Sequence, residues 1–395
     1  MLNDVGADLE FDHWSSKMAY SPWDVWTRMR GRCPVARTES HGGYYVLTRY
    51  DDVFAAALNP GLFSSDGDGL GVAVPPQPIR PLYPLELDPP QHTAYRALLN
   101  PRLNPRVVAA MEPWVRDIAR EMIAEFPATG VFDVAGKFTL PMPKRVAYQV
   151  LGFPEDIRDE VTLRIDQVST NIGDRNGEAG PRLLDLLVGV IAGRRASERR
   201  DDLLDSVVFG EVNGAPLDDA QVLAMLILLL FGGLGTTSGA LACMFQWLGD
   251  HPDDRARLQA RPDLHDRAVD EFVRWASPVA HLGRTVVTDT QLHGCPMAAG
   301  SRVVLAYGSA NRDETQFDHP DEVIVDRHPN RHVAFGVGPH RCVGSHLARL
   351  QMKVTLQELL AGMPPFRVHD HGQIRWVHGE TRLIGRLLLE VGYER

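Results

Sequence analysis

The sequence predicts a mainly α-helical fold with a small β-sheet region, and three observations carry that reading. Apolar residues recur at helical spacing over most of the 395 residues, while strand-like alternation is confined to three short segments. One oily run at 222–234 is too short for a bilayer and suits a helix buried in a protein core. No repeat, low-complexity linker or sharp change of composition divides the chain, so residues 1–395 are expected to form one domain.

In chain order, the amino end through Trp14 is acidic and mixed, with neither the basic start nor the apolar run of a signal or transit peptide. Residues 22–29 form the first predicted helix, Tyr44-Tyr45-Val46-Leu47-Thr48 the first strand, and 51–58 the next helix. Glycines and prolines break the periodicity over 67–84, an irregular loop that either lines a ligand site or covers surface. Helices follow at 105–126 and 144–151. Residues 153–180 are weakly patterned and interrupted by Gly173, Gly177 and Gly180, as expected of a mobile lid or an ordinary connector. Helices at 182–199, 220–248 and 263–275 precede strands at 286–292 and 302–305. The last long helix runs over 343–360, with Leu347, Leu350, Val354 and Leu359 on its apolar positions.

The charge balance, 41 Lys plus Arg against 51 Asp plus Glu for a net charge of -10, argues against a dedicated nucleic-acid binder. Cys33, Cys243, Cys295 and Cys342 are unevenly spaced and form no disulfide framework, which fits a reducing, intracellular home; with neither a targeting segment nor a bilayer-length apolar run, a soluble cytoplasmic protein is expected, and a monomer.

Cys342 stands apart because of its flanks. Gly336, Gly338 and Gly344 permit backbone dihedrals and close approaches that other residues resist, and the following helix offers its amino end to an anion. A free thiol ionises near ~8.5, and such neighbours or a metal bring that down. An iron porphyrin held by one axial thiolate meets this description, the plainer alternative being a small buried hydrophobe. The central helix carries Gly232-Gly233-Leu234-Gly235-Thr236-Thr237, although each glycine costs up to ~1 kcal/mol in a helix interior. A bare face there admits a flat cofactor or its bound gas, or else close helix packing. Thr236 can return its hydroxyl to the Gly232 carbonyl and loosen the turn. Glu271 and Arg274 share a helix face as an i,i+3 ion pair, and His92 and Arg96, four apart, lie on one side of another helix.

Residues 335–344 read Phe-Gly-Val-Gly-Pro-His-Arg-Cys-Val-Gly and meet every fixed position of F-G-x-G-x-H-x-C-x-G, the haem-binding loop of the cytochrome P450 monooxygenases. The chain resembles the soluble bacterial members of that family over roughly residues 15 to 395, motif order included. The resemblance implies the cytochrome P450 fold, haem b with Cys342 as axial thiolate, Phe335 packed over the sulfur, and O2 as co-substrate. It implies two one-electron reductions and proton-assisted O–O cleavage, which the thiolate assists, before oxygen is inserted into a small hydrophobic molecule.

The stretch from Asp88-Pro89-Pro90 through His92 to Arg96 resembles the family's D-P-P-x-H-x-x-x-R, so His92, Arg96, Arg284 and His340 are expected to hold the haem propionates. Glu271, Arg274 and Arg327 are expected to form a buried structural network with Asn311-Arg312-Asp313 and Asp326. For the substrate pocket the resemblance points to Val279, Ala280, His281 and Leu282, joined by Val74, Ile79 and Arg80 from the irregular loop and by Leu229, Leu234 and Leu383. His281 and Arg80 would orient a polar group or face solvent. Gly232, Gly233, Thr236 and Thr237 match the family's Ala/Gly-Gly-x-Asp/Glu-Thr-Thr/Ser, whose threonine helps protonate bound dioxygen, but Gly235 stands where the acid belongs. Protons would then come through extra water, another residue or the substrate, with more peroxide leaking.

No reductase portion follows the haem portion, so a separate ferredoxin and an NAD(P)H-dependent ferredoxin reductase are expected, docking on Arg102, Arg106 and Arg341. Neither nucleic acid nor membrane is an expected partner. A peroxide-driven or non-hydroxylating haem-thiolate enzyme and a non-catalytic haem sensor are the competing readings.

Overall fold

The computed structural model describes residues 11–75, 81–170, 178–377 and 379–392. Its axis is the helix Asp219–Asp250, begun by a capping box in which Asp218 accepts from the Gln221 amide at 2.8 Å and Gln221 accepts from the Asp218 amide at 3.0 Å. By length and composition this helix is apolar enough to cross a membrane. It is instead wrapped by Pro141–Leu151, Ala179–Arg195, His265–Ala276 and Ser345–Gly362, and every residue over 237–245 is buried. A helix apolar all round belongs in such a core.

A five-stranded sheet lies to one side in the order Val35–Thr38, Tyr44–Leu47, Arg302–Leu305, Leu282–Val286, Phe63–Ser64. Its second and third strands are parallel and its other pairs antiparallel. A three-stranded sheet joins Phe366–Val368, Leu388–Val391 and Gly130–Asp133. The hairpin of Arg375–Val377 and Leu383–Arg386 lays its second strand against the central helix. Helices thus dominate and the sheets are minor, as the sequence predicts.

Three predicted elements differ in detail. The helix expected over 105–126 is two, Pro105–Ala109 and Glu112–Ala124. Pro113 is the cause, because its ring blocks a continuous helical backbone and it has no amide to give. The strand expected over 286–292 is also two. Leu282–Val286 joins the large sheet, whereas Thr290–Leu292 turns out into a hairpin with Cys295–Met297, where Asp289 accepts from the Ala299 amide at 2.8 Å. The weakly patterned stretch holds a helix, Arg158–Thr170, whose buried Val161 and Ile165 are too few to show in the sequence; Gly173 and Gly177 lie outside the described residues.

One polar assembly fastens the helix His265–Ala276 to the chain beyond it. Glu271 and Arg274 are fully buried and paired through two 2.8 Å bonds. Arg274 also donates to the carbonyls of Asn311, Pro320 and Glu322, and Glu271 accepts from Arg327, Asn330 and the Ile324 amide. Burial alone would raise the Glu271 carboxyl, but these donors outweigh it and keep the group below the usual carboxylate range. Asp326 pairs instead with Arg257, and Asp313 accepts from the Tyr50 amide.

Candidate active site

The loop over 335–344 is shaped by two left-handed glycines, Gly336 at φ +66° and Gly338 at φ +68°. A Cβ on Gly338 would also meet Leu58 Cδ2 at 3.0 Å and the Ala57 carbonyl at 3.1 Å. Gly344 needs neither freedom. Its φ is −84°, with nothing within 4 Å of a Cβ, and it caps a helix that begins at Ser345 rather than at 343. Cys342 therefore lies just ahead of the helix, with its amide donating to the Phe335 carbonyl at 2.7 Å.

Cys342 is exposed to an internal cavity of about 1420 Å³, with protein close around its sulfur. Burial pushes its thiol up, against the Gly344 amide and the charges of Arg96, Arg341 and Arg349, so that alone it stays a thiol. A cation in the cavity would reverse that balance.

The same cavity is lined by Gly232, Gly233, Gly235, Thr236 and Thr237 of the central helix. A Cβ at Gly233 would meet nothing within 4 Å, and one at Gly232 only Leu228 Cδ1 at 3.9 Å. Close helix packing does not account for these glycines; that task falls to Gly239, where a Cβ would sit 2.8 Å from the Arg382 carbonyl. Thr236 Oγ1 donates to the Gly232 carbonyl at 2.9 Å, and the helix continues unbroken through that turn.

Cationic groups gather on the same cavity without acidic partners. Arg96, Arg284, His92 and His340 all line it, and no carboxylate among the described residues pairs with either arginine. Arg284, though 2% exposed, donates to the Gly283 carbonyl, and Arg96 to Asn100 and the Arg341 carbonyl. The two imidazoles lie 4.3 Å apart, and the Nδ1 atom of each is buried without a partner among the described residues. Burial, then Arg284, His92 and Arg96, push His340 down to about 2. Two arginines without carboxylate partners among the described residues, flanked by imidazoles that burial keeps neutral, form a cluster that fits a ligand carrying carboxylates. Haem therefore fits the residues present: thiol, bare helix face and carboxylate-seeking cluster share one cavity.

Leu229, Leu234, Val279, Leu282 and Leu383 line the cavity too. Three expected pocket residues do not. Val74 turns into a separate core with Phe11, Trp26 and Tyr44, leaving Val72 and Ala73 at the cavity. Ala280 joins that core, and His281 packs edge-on against His13 at 4.4 Å. Within the strand Leu282–Val286, Leu282 and Arg284 share the cavity face while Gly283 points away from it toward Val74 and Arg302. Ile79 and Arg80 lie outside the described residues. Sequence reading passed over Glu380 and Thr381, which line the cavity beside Leu383; only their nearness in sequence to Leu383 could have pointed to them.

Comparison with known proteins agrees with this geometry. The family model described as Cytochrome P450 matches residues 260–373. The Steroid C26-monooxygenase of Mycolicibacterium smegmatis is 34% identical over 354 residues, covering 88% of this chain and 86% of that protein. The Methyl-branched lipid omega-hydroxylase of Mycobacterium tuberculosis is 34% identical over 345 residues, covering 82% of this chain and 78% of that protein. The crystal structure of cytochrome P450 CYP101C1 superposes with a TM-score of 0.87 at 27% identity and covers 100% of both chains. The chain belongs to the cytochrome P450 family and is a haem-thiolate monooxygenase that oxygenates a small hydrophobic substrate with O2 and electrons from an external redox partner.

Proposed function

We propose that Cys342 is the axial ligand of haem b, that Arg96, Arg284, His92 and His340 hold its propionates, and that the substrate is an apolar lipid of steroid or branched-chain size. The observation that carries this reading is a single cavity bordered by Cys342, the glycine face of the central helix and the unpaired cationic cluster. Haem supplies the iron at which dioxygen is activated. The Gly344 amide holds negative charge on the sulfur, and Phe335 borders the cavity beside it. Leu229, Leu234, Val279, Leu282 and Leu383 give the substrate an apolar wall that excludes water. Thr236 positions a hydroxyl for proton transfer, with Thr237 next to it on the cavity.

The size of the substrate rests on the breadth of the cavity and on the relatives named for steroid and methyl-branched lipid oxidation. Electrons come from a ferredoxin served by an NAD(P)H-dependent reductase in the cytoplasm, to a monomer. Arg106 and Arg341 are exposed for that docking, whereas Arg102 is engaged by Asp201 and Ser206. Cys342→Ser is expected to abolish the thiolate-type difference band of the reduced carbon-monoxide complex, and retention of the band overturns the assignment. Optical titration with cholest-4-en-3-one and methyl-branched fatty acids, against camphor-sized terpenes, is expected to give the larger spin shift with the lipids; the reverse order sinks the substrate class.

A further inference from the structure

Where the chain enters strand Leu383–Arg386, its side chains alternate between two surroundings. Arg382 turns away from the cavity, with its guanidinium 3.4 Å from the centre of the Trp376 ring and 5.0 Å from that of Trp23. Thr381 and Leu383, on either side of it, share the opposite face, as residues two apart in an extended chain do. Both line the cavity, and both would touch a Cβ on Gly235, Leu383 through Cδ2 at 3.5 Å and Thr381 through Cγ2 at 3.9 Å. The bare position on the central helix is therefore covered by one apolar side chain and by one that carries a hydroxyl.

Backbone contacts hold Thr381 in that place. The Glu380 carbonyl before it accepts from the Ala280 amide at 2.9 Å, and the Arg382 amide after it donates to the Pro278 carbonyl at 2.7 Å. Thr381 itself bridges to Val279, another cavity residue. Its hydroxyl has no hydrogen-bond partner among the described residues, and the oxygen is not sealed off by protein. On the facing helix, Thr236 already donates to the Gly232 carbonyl at 2.9 Å and Ser238 to the Leu234 carbonyl at 2.7 Å. The side chains of Leu234, Val279, Leu282 and Leu383 on the same cavity cannot take a hydrogen from Thr381. A hydrocarbon laid over this hydroxyl would strip it of water and offer no acceptor in return.

We propose that Thr381 is a specificity-determining residue whose hydroxyl donates to an oxygen of the substrate, so that the substrate is a lipid bearing a ketone or alcohol oxygen rather than a plain hydrocarbon. The inference rests on the lipid reading above. An oxygen that accepts the Thr381 hydrogen restores the bond lost with water, and it fixes which part of the lipid lies beside Gly235.

The test is optical titration of the purified holoenzyme with matched pairs that differ only in the oxygen. Cholest-4-en-3-one is set against cholest-4-ene, and a methyl-branched primary alcohol against its alkane. The spin shift reads binding and needs neither turnover nor redox partner. Thr381→Val keeps the shape and removes the hydroxyl. It is expected to weaken the oxygen-bearing member of at least one pair roughly 3- to 10-fold, and to leave the hydrocarbon bound as in the native protein or more tightly. Thr381→Ser, which keeps the hydroxyl, is expected to stay near the native values. Equal weakening of both members, no weakening in either pair, or a loss of the same size in Thr381→Ser overturns the proposal and leaves the lipid reading standing. Absence of any spin shift with these lipids in the native protein, its thiolate carbonyl band intact, overturns the lipid reading and the proposal with it. If Thr381→Val takes up no haem, Thr381→Ala carries the test with the same outcomes.

Discussion

His13 and His281 are buried side by side. His13 Nε2 lies 2.5 Å from the Val74 carbonyl and Nδ1 lies 2.7 Å from the Tyr44 hydroxyl. A carbonyl can only accept, so Nε2 carries the hydrogen, Nδ1 accepts, and the ring is held neutral. His281, edge-on against it, has no hydrogen-bond partner among the described residues. Burial pushes His13 down to about 4 and His281 well below its ordinary value. Both folded-state values are depressed, so the unfolded chain binds the extra protons once pH falls below about 6.5. Stability is full above that pH and is lost on acidification, by up to about 1.4 kcal/mol per pH unit for each histidine. His281→Phe removes one of these titrations, so urea midpoints measured from pH 7 to pH 4 are expected to fall less steeply than in the native protein. An equal slope would exclude His281 from the acid transition.

The central helix separates two uses of glycine that look alike in sequence. Gly233 faces open cavity, and Gly239 faces the Arg382 carbonyl at 2.8 Å. Gly233→Ala is expected to stabilise the cofactor-free protein by up to about 1 kcal/mol through helix propensity. Gly239→Ala is expected to destabilise it by roughly 1–3 kcal/mol through overpacking. Urea denaturation of the two variants checks the contrast, and like signs would refute it. The long helix, the motif loop and the strands at 44–47 and 302–305 were legible because their signals are local periodicity and turn chemistry. Whether Gly233 packs or lines a cavity was not, since that depends on what lies opposite. The same blindness let Val74, Ala280 and His281 pass as pocket residues: Val74 and Ala280 join a core with Phe11, Trp26 and Tyr44, and His281 packs on His13, partners remote in sequence. Glu380 escaped notice because nothing local distinguishes a loop acid at a cavity from one in water.

Across the molecule, cohesion depends on contacts between distant segments. Glu271 and Arg274 join their helix to residues 311–330, and removing one partner strands a buried charge. Glu271→Ala is expected to cost roughly 3–5 kcal/mol, visible as a lower urea midpoint or loss of soluble protein, whereas a change under about 1 kcal/mol would show the network to be dispensable. The far wall of the cavity is a joint product as well, made by residues 232–237 of the central helix and by Gly379, Glu380, Thr381 and Leu383 of the last hairpin. Strand Leu388–Val391, which follows that hairpin, pairs with Gly130–Asp133 from the first half of the chain. Such pairings between sequence-distant segments form late. During synthesis the central helix therefore leaves the ribosome with its glycine face uncovered, and a chamber able to retain a cofactor closes only after the final strand finds its partner. On this architecture haem capture is expected to follow folding rather than to nucleate it.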